Sequence, residues 1–291
     1  MALSERTKTM AKNEVAKAED KFSIVSGYEG MDDDLKAELA DEMEDLDDDA
    51  GIMARQIKMP SGSVKAFSIE GETEDDTEIV KEFEGVILFT HRMNAYWPQA
   101  LGSDGAAGGN PPECSSMDAK QGLNYTTGEA ISCESCPHNQ FKADGTGKEC
   151  KNMRRVYLLR SGIPVPFLLT VPPTSIRDFN KSLARIMGGS KVPYTQMVIR
   201  FKLVNATSKS GVSYSKVAIE NAGQLSPEQA KTVMAMRKQI KEQYKKVAIT
   251  SDDYAAPTDQ GGQQAAAQTS APGPDGFMNV PDGIDEELPF V

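Results

Sequence analysis

Apolar and polar residues alternate with a period of two through much of the middle of the chain. This pattern predicts strands over Phe83–Trp97, Arg154–Arg160, Phe167–Val171, Gln196–Val204 and Val212–Glu220, with Ser63–Glu70 as a sixth. The fourth and fifth are separated only by Asn205–Gly211, which reads as a hairpin loop. Between the third and fourth the period lengthens to that of a helix over Ser175–Met187, with Thr174 or Ser175 as its N-cap and Gly188–Gly189 as its stop. A second helical spacing, Leu35, Leu39, Met43 and Leu46, falls inside an acidic run and predicts a short amphipathic helix there.

Five or six short strands and one intervening helix predict a mainly β fold with a few helices. They fit a partly closed antiparallel barrel of the oligonucleotide-binding type (OB-like) better than a parallel doubly wound sheet, which needs a helix after nearly every strand. Three regions follow: an acidic, helical or disordered segment at 1–50, the barrel at 51–250 with an insertion at 102–152, and a tail at 251–291. The tail is composed largely of Ala, Gln, Gly, Ser, Thr and Pro until its acidic tip and lacks Lys and Arg, so it predicts a disordered linker. Without the ends, roughly 190–200 residues remain, enough for one sizeable core. The longest apolar stretch, Ile163–Val171, is broken by Pro164 and Pro166, so no membrane span is expected and the chain reads as cytoplasmic.

Charge changes the picture once it is divided by region. The whole chain is formally −11, yet residues 31–49 carry eleven acidic residues against Lys36, and residues 251–291 carry eight with no basic residue. The body from 50 to 250 is left with 26 basic and 19 acidic residues, and the half from Lys142 to Thr250 with 20 and 6. A cationic body between anionic appendages has the charge distribution of a surface that neutralises phosphates. Strand alternation then sorts the candidates. In Gln196–Val204 the apolar Met197, Ile199, Phe201 and Leu203 share one face, leaving Arg200 and Lys202 on the other; Tyr214 and Lys216 point outward beside them, and Arg155 and Tyr157 share a face of the Arg154–Arg160 strand. Tyrosines interleaved with cations suit single-stranded DNA, because bases stack on rings while cations track the backbone; Tyr96 and Trp97 are further stacking candidates.

The cysteines, Cys114, Cys133, Cys136 and Cys150, have the spacing C-x18-C-x2-C-x13-C in a Gly- and Pro-rich stretch. A C-x2-C knuckle with two flanking cysteines predicts a structural Zn2+ site of four sulfurs that supplies folding free energy to the insertion. An iron–sulfur cluster or a redox pair are the competing readings. His91 and His138 belong to no recognisable triad, and the Gly-rich 102–109 stretch lacks the ending of a phosphate loop, so no enzyme is expected.

The flexible linker followed by Asp285, Glu286, Glu287, Leu288, Pro289 and Phe290 resembles the C-terminus of bacterial and phage single-stranded DNA-binding proteins. In that family Phe usually ends the chain, whereas here Val291 follows. Some phage members also carry a zinc subdomain, with a ligand set that includes a His. Asn139–Phe141 and Gly147–Arg155 are similar to segments of phage replication proteins. The resemblance implies non-sequence-specific binding of single-stranded DNA in replication or recombination, partner proteins recruited through the tip, and host cytoplasm if phage-encoded. Homo-oligomerisation is left open. The alternative is a zinc-stabilised protein–protein adaptor or DNA mimic acting through its acidic segments.

Overall fold

The computed structural model describes residues 22–25, parts of 32–42, 54–60, 62–73, 76–98, 111–143, 147–208, 211, 213–247 and 249. The chain divides into a unit over 1–257 and a segment over 258–291, and the second lies outside the described residues together with the acidic tip and the linker. Of the acidic run, Asp34, Leu35, Ala37, Glu38, Asp41 and Glu42 are described and helical, and Asp32 accepts the Leu35 backbone N–H at 2.8 Å; Leu39, Met43 and Leu46 lie outside the described residues.

Among the described residues eleven strands form one large mixed sheet: β1 (Arg55–Lys58), β2 (Phe67–Glu70), β3 (Thr77–Val80), β4 (Glu82–Tyr96), β5 (Cys114–Ser116), β6 (Gln121–Asn124), β7 (Ala130–Ser132), β8 (Lys151–Leu159), β9 (Phe167–Val171), β10 (Met197–Thr207) and β11 (Ser213–Gln224). The spatial order is β3-β2-β1-β9-β8-β4-β5-β6-β7, and the β10–β11 hairpin joins through the first residues of β4. The sheet does not close, which corrects the expected barrel, and the pairing of β1 with β9 is parallel, so the sheet is not purely antiparallel. The insertion is not a separate knuckle either, because β5 continues the main sheet along Asn94–Tyr96 of β4.

β4 is the spine. At fifteen residues it pairs with β10 over Glu82–Gly85, with β8 over Val86–Ala95 and with β5 at its end. Before residue 88, Phe83 and Ile87 enter one core while Val86 enters another on the opposite face. A bulge between Ile87 and Phe89 then places Leu88 and Phe89 on the same side, shifting the alternation by one residue. Beyond it His91, Met93 and Ala95 face inward, and Thr90, Arg92, Asn94 and Tyr96 continue the face that carries Ile87.

Among the described residues two long helices cover the cores. α1 (Pro173–Ser190) buries Phe179 and Leu183 over the first, where Phe83 stacks on Phe201 at 4.9 Å and meets Phe67 edge-on at 5.0 Å. α2 (Pro227–Gln243) buries Ala230, Val233 and Ile240 over the second. The expected bounds of α1 shift at both ends. Pro173 at the first position needs no amide partner, so the helix starts without a side-chain cap, and it runs through Gly188–Gly189 to stop at Lys191, which takes a left-handed φ of 57° and donates its N–H to the Met187 carbonyl. α2 starts with a full capping box, Ser226 and Gln229 exchanging side-chain and backbone hydrogen bonds. No helix among the described residues is long and apolar enough to cross a membrane.

Candidate nucleic-acid interface

The predicted face of β10 and β11 has the expected sidedness. Ile199, Phe201 and Leu203 are buried, while Arg200, Lys202, Tyr214 and Lys216 lie half-buried on the other side. Its charge, however, is answered locally. Arg200 donates through Nε and Nη2 to Glu84 of the neighbouring β4, Lys202 pairs with Glu220 across the hairpin, and Lys216 reaches Asp178 of α1 at 2.5 Å. The hydrogen bond and charge of Lys216 hold the Asp178 carboxyl below its usual range, and the hydrogen bond that Arg200 donates to Glu84 raises the Arg200 pKa. Each cation of this face therefore meets a carboxylate before it meets a ligand.

Arg155 and Tyr157 do share a face, but it is the inner one, and both are fully buried. The reading of these two as strand contacts is corrected: neither is presented to a ligand passing over the surface. Arg155 donates from Nη1 to the Val247 carbonyl, and the Tyr157 ring lies near those of Phe89 and His91. His91 is enclosed in the same layer. Its Nδ1 faces the carbonyls of Arg92 at 3.1 Å and Met117 at 2.9 Å, so Nδ1 carries the proton and donates, and the buried Nε2 has no hydrogen-bond partner among the described residues. Burial, reinforced by the Arg155 and Arg154 cations, lowers the His91 pKa from 6.5 to about 4.

The outer side of the same two strands carries a different assembly. Arg92 and Arg154 stand directly opposite in the β4–β8 ladder, followed by Asn94 opposite Asn152 and then by Tyr96. Arg154 is half-buried and donates to the Thr90 hydroxyl at 3.1 Å; burial first, and the adjacent Arg92 second, lower its pKa. Asn152 donates to the Asn94 and Asn139 side chains, each at 2.8 Å. Tyr96 stacks on His138 with ring centres 4.0 Å apart, and His138 is held by Glu149 at 2.6 Å, whose carboxyl is kept below its usual range by His138 first and Lys142 next. Past this stack Phe141 is 76% exposed, with the Lys148 ammonium 5.1 Å over its ring. At the opposite end Arg237 of α2 donates to the Tyr194 hydroxyl at 2.7 Å and to the Leu88 carbonyl at 2.6 Å. Tyr96 was legible as a stacking candidate; Arg92 was not, because its role depends on which residue of β8 lies opposite. Trp97 is half-buried beside Met93, Ala95, Met153 and Ile249.

All four cysteines are free and border a small cavity of about 80 Å3, open to solvent, beside Tyr96 and His138. Gly122 leaves space beside them, since a Cβ there would come within 3.0 Å of the Cys114 sulfur. Burial first, then the neighbouring sulfurs, push Cys150 up to about 12 and Cys114 upward as well, so these two are protonated thiols at neutral pH. The expected zinc site is corrected: among the described residues no group of three or more His, Cys, Asp or Glu side chains is placed to hold a metal ion, and the cysteines do not form a ligand cluster. Hydrogen bonding supports this segment instead, through Cys133 N–H to the Lys120 carbonyl, the Asn139 side chain to the Cys133 carbonyl and Cys150 N–H to the His138 carbonyl. Comparison with family models, curated proteins and solved structures returned no match, so the interpretation of this surface rests on its own residues.

Proposed function

We propose that this chain binds single-stranded DNA without sequence preference and serves in DNA replication or recombination. The observation that carries the reading is the outer β4–β8 face, where cations, side-chain amides and a stacked ring pair succeed one another along two strands. Rings offer bases a surface that tolerates any sequence and guanidinium and ammonium groups follow the backbone, while the buried Asn94 and its partner Asn152 brace the stretch between them through their own hydrogen bond. The anionic ends are consistent with a basic body kept dispersed by its own appendages. The acidic tip, Asp285–Phe290, is proposed as the element that recruits partner proteins.

Titration of the full chain with oligo-dT, followed by Trp97 and Tyr fluorescence, tests the reading. Quenching that saturates and weakens steeply between 50 and 200 mM salt is expected. An oligo-U series at matched salt reports the preference between DNA and RNA. No quenching at low salt, in a chain that melts cooperatively, would refute the function. Phe290→Ala should leave that affinity unchanged while lowering capture of a replication partner, because it removes the apolar anchor and keeps the charge.

A further inference from the structure

We propose that Arg92 and Arg154 form a clamp for one backbone phosphate of the bound strand, with the Tyr96–His138 stack receiving a base farther along the same face. This rests on the single-stranded DNA reading and assigns the site within it. Like charges directly opposite on neighbouring strands repel unless an opposite charge lies close by. Here the arrangement is unrelieved: Arg92 is exposed, Arg154 is oriented by Thr90, and among the described residues neither makes an ion pair. Among the described residues the buried Arg154 Nε has no hydrogen-bond partner, a desolvated donor that adds to the cost of holding the pair together. Arg200, Lys202 and Lys216 provide the internal contrast, since each is already neutralised.

An anion seated between two guanidiniums removes their repulsion and accepts from both forks. Phosphate geometry matches such a fork. The ligand is a phosphodiester within a strand rather than a free anion, because the same face continues past Asn94 and Asn152 to Tyr96, about 13 Å from Arg92 at the rise of an extended chain. The bulge in β4 makes this possible by turning Arg92 to the side of Arg154 rather than into the layer of His91.

The test is oligo-dT titration of the full chain in three variants, over a range of salt, with thermal melting of each. Arg92→Gln should lower affinity about fivefold at 0.1 M salt and reduce the log–log salt slope by about 0.7, the loss of one single-strand phosphate contact extrapolated from 1 M. Arg92→Glu should bind more weakly still yet melt higher than the parent, because it converts the repelling pair into an ion pair with Arg154. Lys181→Gln, an exposed cation on α1, should match the parent in both. Inorganic phosphate at millimolar concentration should compete poorly. If the parent binds oligo-dT and Arg92→Gln keeps its affinity and slope, the clamp is wrong and the function stands. If the parent does not bind at all, both fall. Free phosphate competing as well as oligo-dT would also overturn it, by marking a small-anion site.

Discussion

Acid should destabilise this fold through His91. The ring is buried between β4 and the aromatic layer, with Tyr244 at 4.7 Å, Phe89 at 5.6 Å and Tyr157 at 5.9 Å, and Arg155 and Arg154 nearby. Protonating it in place would put a cation among rings and beside two guanidiniums. In the unfolded chain it titrates near 6.5 and in the folded chain near 4, so between those values the unfolded state binds the extra proton and stability falls as pH falls. Above 6.5 the ring is neutral in both states and imposes no penalty; below about 4 the penalty is complete. The interval corresponds to about 3 kcal/mol, at roughly 1.4 kcal/mol per pH unit. His91→Phe keeps an aromatic ring and removes the titration, at a pH-independent cost for the lost bonds to Arg92 and Met117. Urea unfolding of both proteins at pH 7.5, 6.5, 5.5 and 4.5 should therefore show the parent losing stability relative to the variant by about 2–3 kcal/mol over the acid half. Parallel stability profiles for the two proteins would refute the assignment.

Two other substitutions probe the scaffold. Gly85→Ala should cost about 1–3 kcal/mol in urea unfolding, because the added Cβ would lie 2.9 Å from Leu158 Cδ1 and 3.0 Å from the Leu159 carbonyl, and unchanged stability would contradict that packing. Ser226→Ala should cost about 1 kcal/mol by removing the α2 capping box, with Ser226→Asp retaining most of it; equal midpoints for all three would show that the cap contributes nothing.

β10 and β11 were legible because each alternates between an apolar and a polar face, so their inward and outward residues followed directly, whereas β4, β8 and β9 were legible as apolar runs buried on both faces of the sheet. β1, β3 and the three short strands of the insertion were not, being three or four residues long and too brief for a period to register. The bulge was invisible for a related reason: Val86, Ile87, Leu88 and Phe89 are all apolar, so nothing in their composition marks where the alternation changes phase. Arg155 misled because a positive charge normally faces water, whereas its position between Met153 and Tyr157 commits it to the interior. The neutralisation of Arg200, Lys202 and Lys216 was equally hidden. Two of the three answering carboxylates, Glu84 and Asp178, come from elements distant in sequence, and only the fold brings them together. The cysteine spacing described a chain pattern but not the positions of four sulfurs in space.

The parallel pairing of β1 with β9 also constrains how the chain reaches its native state. Arg55 aligns with Phe167 and Ile57 with Leu169, so this ladder spans about 110 residues, including β4, β8 and the whole cysteine-bearing insertion. Closing a loop of that length costs about 2 kcal/mol more chain entropy than closing one of about ten residues. The β10–β11 hairpin and the β8–β9 pair are local by comparison and can form without it. β1 is thus positioned to dock late, onto an edge that β9 leaves open until then, and during that interval the apolar Phe167–Val171 edge is open to pairing with another chain.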